Sequence, residues 1–163
     1  MNTSFSDVAR QGAELLAASL SSLKNPPQSG PGLDDAQIER LYGLGYRLLV
    51  ANQCEQALPV FAFLFAQRPT EPRILSGFGH CFLGVGEAGQ AAVMHSLAYA
   101  AEPDNPGHVL AMAEDLVAME APMSAELLQA AEVLASQRSH PEVAERARAL
   151  RGLLSKQPEG SAG

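Results

Sequence analysis

Apolar residues return every three to four positions along most of this chain, the spacing of one buried face on an α-helix. Val8, Leu15, Leu16, Leu20 and Leu23, interleaved with alanines, predict an amphipathic helix over about 6–22, with Ser4 or Ser6 as its N-cap. Asn25 to Gly32 contains Pro26, Pro27 and Pro31. Prolines fix φ and remove donors, so this stretch reads as a linker. Asp34 and Asp35 then set negative charge at the positive end of a new helix. Beyond them the pattern predicts helix pairs over 38–51 and 52–66, 72–85 and 88–101, and 106–119 and 122–136, followed by one helix over 141–155. Pro59 falls inside the second of these and is expected to kink it, whereas Pro122 falls at a helix start, where it is tolerated.

The helix pairs repeat. At an offset of 34 residues Leu41, Leu75 and Val109 align, as do Leu44, Phe78 and Met112, and Leu48, Phe82 and Leu116. Gly45, Gly79 and Ala113 align as small residues that let helices approach closely, and Ala57, Ala91 and Ala125 align as well. Pro69 and Pro103 close the first two units, while Gln137 stands where a third proline would. A 34-residue helix–turn–helix period is the mark of tetratricopeptide repeats, with an unrelated helical bundle as the alternative. The predicted architecture is an all-α solenoid. Residues 1–33 form an N-terminal helix and linker, 34–137 three repeats, 138–155 a capping helix, and 156–163 a disordered tail. The third repeat is degenerate, since Gln129 and Glu132 replace earlier apolar residues. The last helix carries Val143, Ala147, Leu150 and Leu154 on one side and Arg146, Arg148 and Arg151 on the other, as a polar terminal cap requires.

Composition agrees with helices. Among 163 residues there are 27 Ala and 22 Leu, against 13 Val, Ile and Thr together. That balance disfavours strands. The net charge is −7. Between Ile74 and Gln137 there is no Lys or Arg but eight carboxylates, which would repel a phosphate backbone or an anionic membrane. No apolar run approaches the roughly 18 residues of a membrane span, and no apolar leader is visible near Met1. Cys54 and Cys81 offer neither a disulfide framework nor metal spacing. A cytoplasmic protein without nucleic-acid or stable membrane contacts is expected.

No catalytic set emerges. Gly84-Val85-Gly86-Glu87-Ala88-Gly89 matches G-x-G-x-x-G, but a helix rather than a strand precedes it, and it falls at the turn within repeat two. His80, His95, His108 and His140 make no metal-binding pattern, so neither metal nor cofactor is expected. What remains is a surface. In stacked helix pairs the first helix of each pair lines the concave side. There Tyr42, Tyr46 and Leu49 share one face at i, i+4, i+7 spacing. The equivalent face of repeat two bears Arg73, Ser76, His80 and Leu83, and that of repeat three Leu110, Glu114 and Val117. Tyrosine combines apolar area with a hydroxyl and suits a half-wet groove. Packing of both tyrosines against the N-terminal helix is the alternative. Phe61, Phe63, Phe65, Phe78 and Phe82 read as core, and Tyr99 is unassigned.

Leu41-Tyr42-Gly43-Leu44-Gly45-Tyr46, followed by Cys54-Glu55-Gln56-Ala57-Leu58-Pro59-Val60-Phe61, resembles the first repeat of the translocator (class II) chaperones of bacterial type III secretion. Arg73, Gly77, Gly79 and Cys81, then His95-Ser96 and Tyr99, resemble the second. The likeness covers about residues 35–120. Leu49 departs from it where a further tyrosine is common, and the third repeat diverges. The resemblance implies a non-catalytic chaperone that keeps hydrophobic translocators soluble and secretion-competent, with an extended P-x-L-x-x-P type segment in the concave groove. It implies Tyr42 and Tyr46 as groove residues and Leu49 by position. It also implies homodimerisation through the N-terminal helix and, for some members, pairing with a transcriptional activator. A generic tetratricopeptide adaptor or regulatory scaffold is the other reading. A nucleotide-binding enzyme rests on the glycine string alone.

Overall fold

A computed structural model describes residues 32–156. The expected helix over 6–22 and nearly all of the tail lie outside the described residues. Within them seven helices follow one another: α1 Asp35–Val50, α2 Cys54–Gln67, α3 Pro72–Gly84, α4 Ala88–Ala101, α5 Pro106–Ala118, α6 Ser124–Gln137 and α7 Pro141–Leu154. No strand occurs among the described residues. Each helix packs on its neighbours in sequence. In addition α1 meets α3, α3 meets α5, and α5 meets α7. First helices thus stack on first helices, and the chain is an all-α, tetratricopeptide-repeat-like solenoid.

The helix starts follow from local chemistry. The Asp34 carboxylate accepts from the backbone N–H of Gln37, whose side chain accepts from the N–H of Asp34, closing a capping box. Pro72, Pro106 and Pro141 each open a first helix or the cap, where the missing N–H would lack a partner anyway. The α6 helix begins at Ser124, so Pro122 stands two residues ahead of it rather than at its start. The α2 helix runs through Pro59 without a break. Pro59 and Glu55, the residue whose carbonyl loses its helical partner, are both exposed, so water can satisfy that carbonyl.

The turn inside each pair needs one left-handed residue, and the register supplies it at Asn52 (φ 57°), Gly86 (φ 86°) and Glu120 (φ 53°), each 34 residues from the next. Glycine adopts this region freely, asparagine tolerates it and glutamate is strained there. The glycine string at residues 84–89 is therefore a repeat turn.

The core lies between the layers. Phe61 on α2 is fully buried and wedged between two glycines. A Cβ at Gly45 would fall 2.8 Å from its ring, and one at Gly77 2.1 Å. One repeat later His95 takes the place of Phe61, against Gly79, where a Cβ would fall 2.4 Å from the imidazole. In repeat three the equivalent Gln129 is exposed, which is the physical form of that repeat's degeneracy. Phe65, Phe78 and Phe82 pack ring to ring, with centroids 5.7 and 4.6 Å apart. Phe63, expected in the core, is 47% exposed. The inward stripe of α2 is Ala57, Phe61, Leu64 and Phe65, and position 63 points away from it. A second cluster joins Val109, Leu110, Leu128 and Ala131 to Val143, Ala147, Leu150 and Leu154 of α7.

Candidate functional site

The concave side carries an open groove of about 580 Å³. Its apolar end is Tyr42, Tyr46 and Leu49 on α1, and its floor is Arg73, Ser76, Gly77 and His80 on α3. Its rim comes from the entries to the first helices: Glu71 and the first residue of α3, Pro72, then Glu102 and Asn105 before α5, with His108 beneath.

The tyrosines stack along α1 with ring centroids 6.3 Å apart and planes 17° from parallel. Tyr42 also meets Phe61 edge-on at 5.9 Å, so its inner edge belongs to the core while Tyr46 is 55% exposed. The Arg73 guanidinium lies 4.6 Å from the centroid of the Tyr42 ring, a cation–π contact. Arg73 is itself held by Glu39 and Glu71, whose carboxylates accept from its guanidinium. The bond from Arg73 keeps the Glu39 carboxyl below its usual range. Burial raises the Tyr42 phenol, with the charge of Arg73 opposing. The groove thus has an aromatic wall braced by a fixed cation.

At the other end Glu102 accepts from Asn105 (3.2 Å) and pairs with His108 Nε2 (3.1 Å). The His108 bond, followed by that from Asn105, lowers the Glu102 carboxyl. His80 is open to solvent along the groove. Crowding by the concave walls, then the neighbouring His95, Arg146 and His108, push its imidazole down to about 4. It is neutral near pH 7.

Of the nine residues expected to line the groove, Tyr42, Tyr46, Leu49, Arg73, Ser76 and His80 come together in it. Leu83 is half-buried and lies outside this groove. Leu110 is only 7% exposed and packs in the second core cluster, because α5 turns that position toward α6 and α7. Glu114 is half-buried and accepts a bond from Arg146 of α7 at 2.5 Å. The face pattern of the first helices does not reach Glu71, Glu102 and Asn105, which stand ahead of them, nor His108, which lies on α5 but off the face of Leu110, Glu114 and Val117. The register carried the missing signal, since Glu71 and Asn105 are 34 residues apart in equivalent loops.

Among the described residues no group of His, Cys, Asp and Glu could hold a metal ion. The Cys81 thiol is buried, which pushes its pKa up to about 12. It is thus no nucleophile at neutral pH. No described helix is long and apolar enough to cross a membrane.

No protein-family model matches the chain, and no curated protein matches it. Solved structures do. PcrH from Pseudomonas aeruginosa is 25% identical, with a TM-score of 0.69 over 76% of this chain and 96% of that one. PcrH in complex with the chaperone binding region of PopD is 23% identical, with a TM-score of 0.70 over 78% and 97%. The Yersinia enterocolitica type III secretion chaperone SycD, in complex with a peptide of the translocator YopD, is 21% identical, with a TM-score of 0.66 over 75% and 95%. The fold of this chain is the fold of these translocator chaperones.

Proposed function

We propose that this protein is a cytoplasmic, non-enzymatic chaperone of type III secretion translocators. It holds an extended segment of its client in the concave groove and keeps the client soluble and secretion-competent. The observation that carries the reading is the preformed wall of Tyr42, Tyr46 and Leu49 facing a floor of Arg73, Ser76 and His80. Such a site gives an extended peptide apolar pockets without reorganisation, which offsets part of the entropy of ordering it. Structures of the same fold support it, since PcrH is in complex with the chaperone binding regions of PopB and PopD, and SycD with a peptide of YopD.

In this reading residues 1–33 are an arm that pairs two copies, 34–137 are the repeats that bind, and 138–155 close the stack. An alternative dimer of SycD supports the pairing of copies. A transcriptional activator as second partner belongs to the same reading, by the resemblance alone. Co-production with a secreted protein carrying long apolar segments tests the function. The client is expected in the soluble fraction, co-purifying with this chain, and that recovery should fall when Tyr42→Ala and Tyr46→Ala are combined. A client that stays insoluble beside abundant folded chain would return the protein to the general class of repeat adaptors.

A further inference from the structure

The groove floor rests on a buried polar pair. His95 on α4 and Asp115 on α5 are both fully buried. His95 Nδ1 lies 2.7 Å from Asp115 Oδ2, and His95 Nε2 lies 3.2 Å from the carbonyl oxygen of Ser76. A carbonyl can only accept, so Nε2 carries a hydrogen. The short Nδ1–Oδ2 contact needs a second proton, donated by the ring to a carboxylate or by a carboxyl to the ring. Either way the pair holds two protons, one more than a neutral imidazole beside a free carboxylate. Asp115 Oδ1 has no hydrogen-bond partner, which penalises an ionised carboxylate in this place. Burial accordingly raises Asp115 against the lowering effect of His95.

The repeat register shows what this pair replaces. Thirty-four residues earlier the same two places hold Phe61 and Cys81, both fully buried. One repeat fastens its helices with apolar packing and the next with a hydrogen-bonded pair. The pair also touches the groove: Ser76 and His80 line it, and the His80 ring lies 4.6 Å from that of His95. The other titratable or charged groups around it are Glu114 on α5, which raises Asp115 further, and His108 on α5 and Arg146 on α7, which act on His80.

We propose that His95 and Asp115 are positioning residues of the groove, a two-proton clasp that fixes the Ser76–His80 turn of its floor against α5 and makes that floor responsive to pH. The role in binding rests on the groove being the binding face, whereas the clasp itself is testable with no client present. An unfolded chain holds two protons at these residues near pH 5 and one near pH 8. The native pair keeps two. Its stabilisation is therefore full near pH 5–6.5 and is lost as pH rises above the ordinary histidine value, up to the pH at which the native pair releases its second proton. Over that window the folding equilibrium constant should fall by up to about tenfold per pH unit.

Urea unfolding of the full chain between pH 6 and 9, with ¹⁵N spectra of the histidine rings, provides the test. Asp115→Asn keeps the shape and can donate its amide hydrogen to a neutral His95, so it should fold, keep the groove and lose the alkaline slope. His95→Phe combined with Asp115→Cys restores the repeat-one pair and should behave likewise. In the wild type His95 Nε2 should carry a hydrogen, as its place against the Ser76 carbonyl requires. The His80 signals should move with the clasp above pH 6.5, although His80 itself is neutral there. Equal alkaline slopes in wild type and Asp115→Asn, an unprotonated Nε2 at pH 7, or His80 signals indifferent to the clasp would each overturn the proposal. Should Asp115→Asn fail to fold, the alkaline slope of the wild type against that of the His95→Phe, Asp115→Cys double variant decides. A client that does not bind would sink the chaperone reading and leave every one of these outcomes standing.

Discussion

Tyr42 touches three chemically different neighbours: the Arg73 guanidinium above its face, the Phe61 ring at its edge and the Tyr46 ring beside it. It is therefore half core and half groove, whereas Tyr46 belongs to the groove alone. The two alanine substitutions should separate accordingly. Tyr46→Ala is expected to leave the unfolding midpoint within about 0.5 kcal/mol of wild type and to weaken peptide binding. Tyr42→Ala should weaken binding and also lower stability by about 2 kcal/mol, since it removes part of a buried aromatic contact. Chemical denaturation beside peptide titration reads both. His80 gives a second residue-scale expectation. Its pKa falls on folding from the ordinary value of 6.5 to about 4, so the native state binds fewer protons than the unfolded chain between those values. Its contribution is present above pH 6.5 and lost as pH falls to 4. His80→Gln should flatten that acid limb of a stability-versus-pH curve, and an unchanged limb would place the acid sensitivity elsewhere.

Helices were legible because their determinants are local and repeat. The 34-residue alignment of apolar and small positions placed six of the seven helices to within about three residues at either end, and Pro72, Pro106 and Pro141 mark three starts on the page of the sequence itself. Side-chain placement was less legible where it depends on a neighbour's volume. Phe63 is apolar but off the inward stripe of α2. Leu110 sits at the groove register but is drawn into a core that α7 completes. The buried pairing of His95 with Asp115 joins residues 20 apart through two helices, a relation that periodicity does not encode. Close approach between elements is where single changes act most sharply. Gly77→Ala would drive a methyl into the Phe61 ring. Despite the better helix propensity of alanine it should destabilise by about 1–3 kcal/mol through overpacking. Glu120→Gly should do the reverse, relieving a left-handed glutamate and raising stability by about 0.5–1 kcal/mol. Thermal unfolding of the two variants checks both signs.

Across the whole molecule the stack is quasi-one-dimensional, with each unit held by its neighbours. Among the described residues two core clusters divide it, one spanning α1 to α4 and one spanning α5 to α7. The groove draws mainly on the first. The last helix closes the second cluster with Val143, Ala147, Leu150 and Leu154, and its arginines reach back: Arg146 to Glu114, and Arg148 and Arg151 to Glu132. Exposed pairs of this kind are individually weak, so the apolar contacts carry most of what α7 contributes, while the arginines set its orientation. Ending the chain after Gln137 should accordingly uncover Leu128, Ala131 and Val109 and raise hydrogen exchange throughout α5 and α6. Protection in α1 and α2 should persist, because their contacts lie within the first cluster and with α3. The α3 and α4 helices stand between, tied to α5 through His95 and Asp115, and the Ser76–His80 turn should show an intermediate loss. Exchange measured by mass spectrometry on the shortened chain resolves this gradient. Loss of protection in α1 and α2 equal to that in α5 and α6 would mean that the seven helices unfold as one cooperative unit, and that the groove depends on the cap as much as on its own walls.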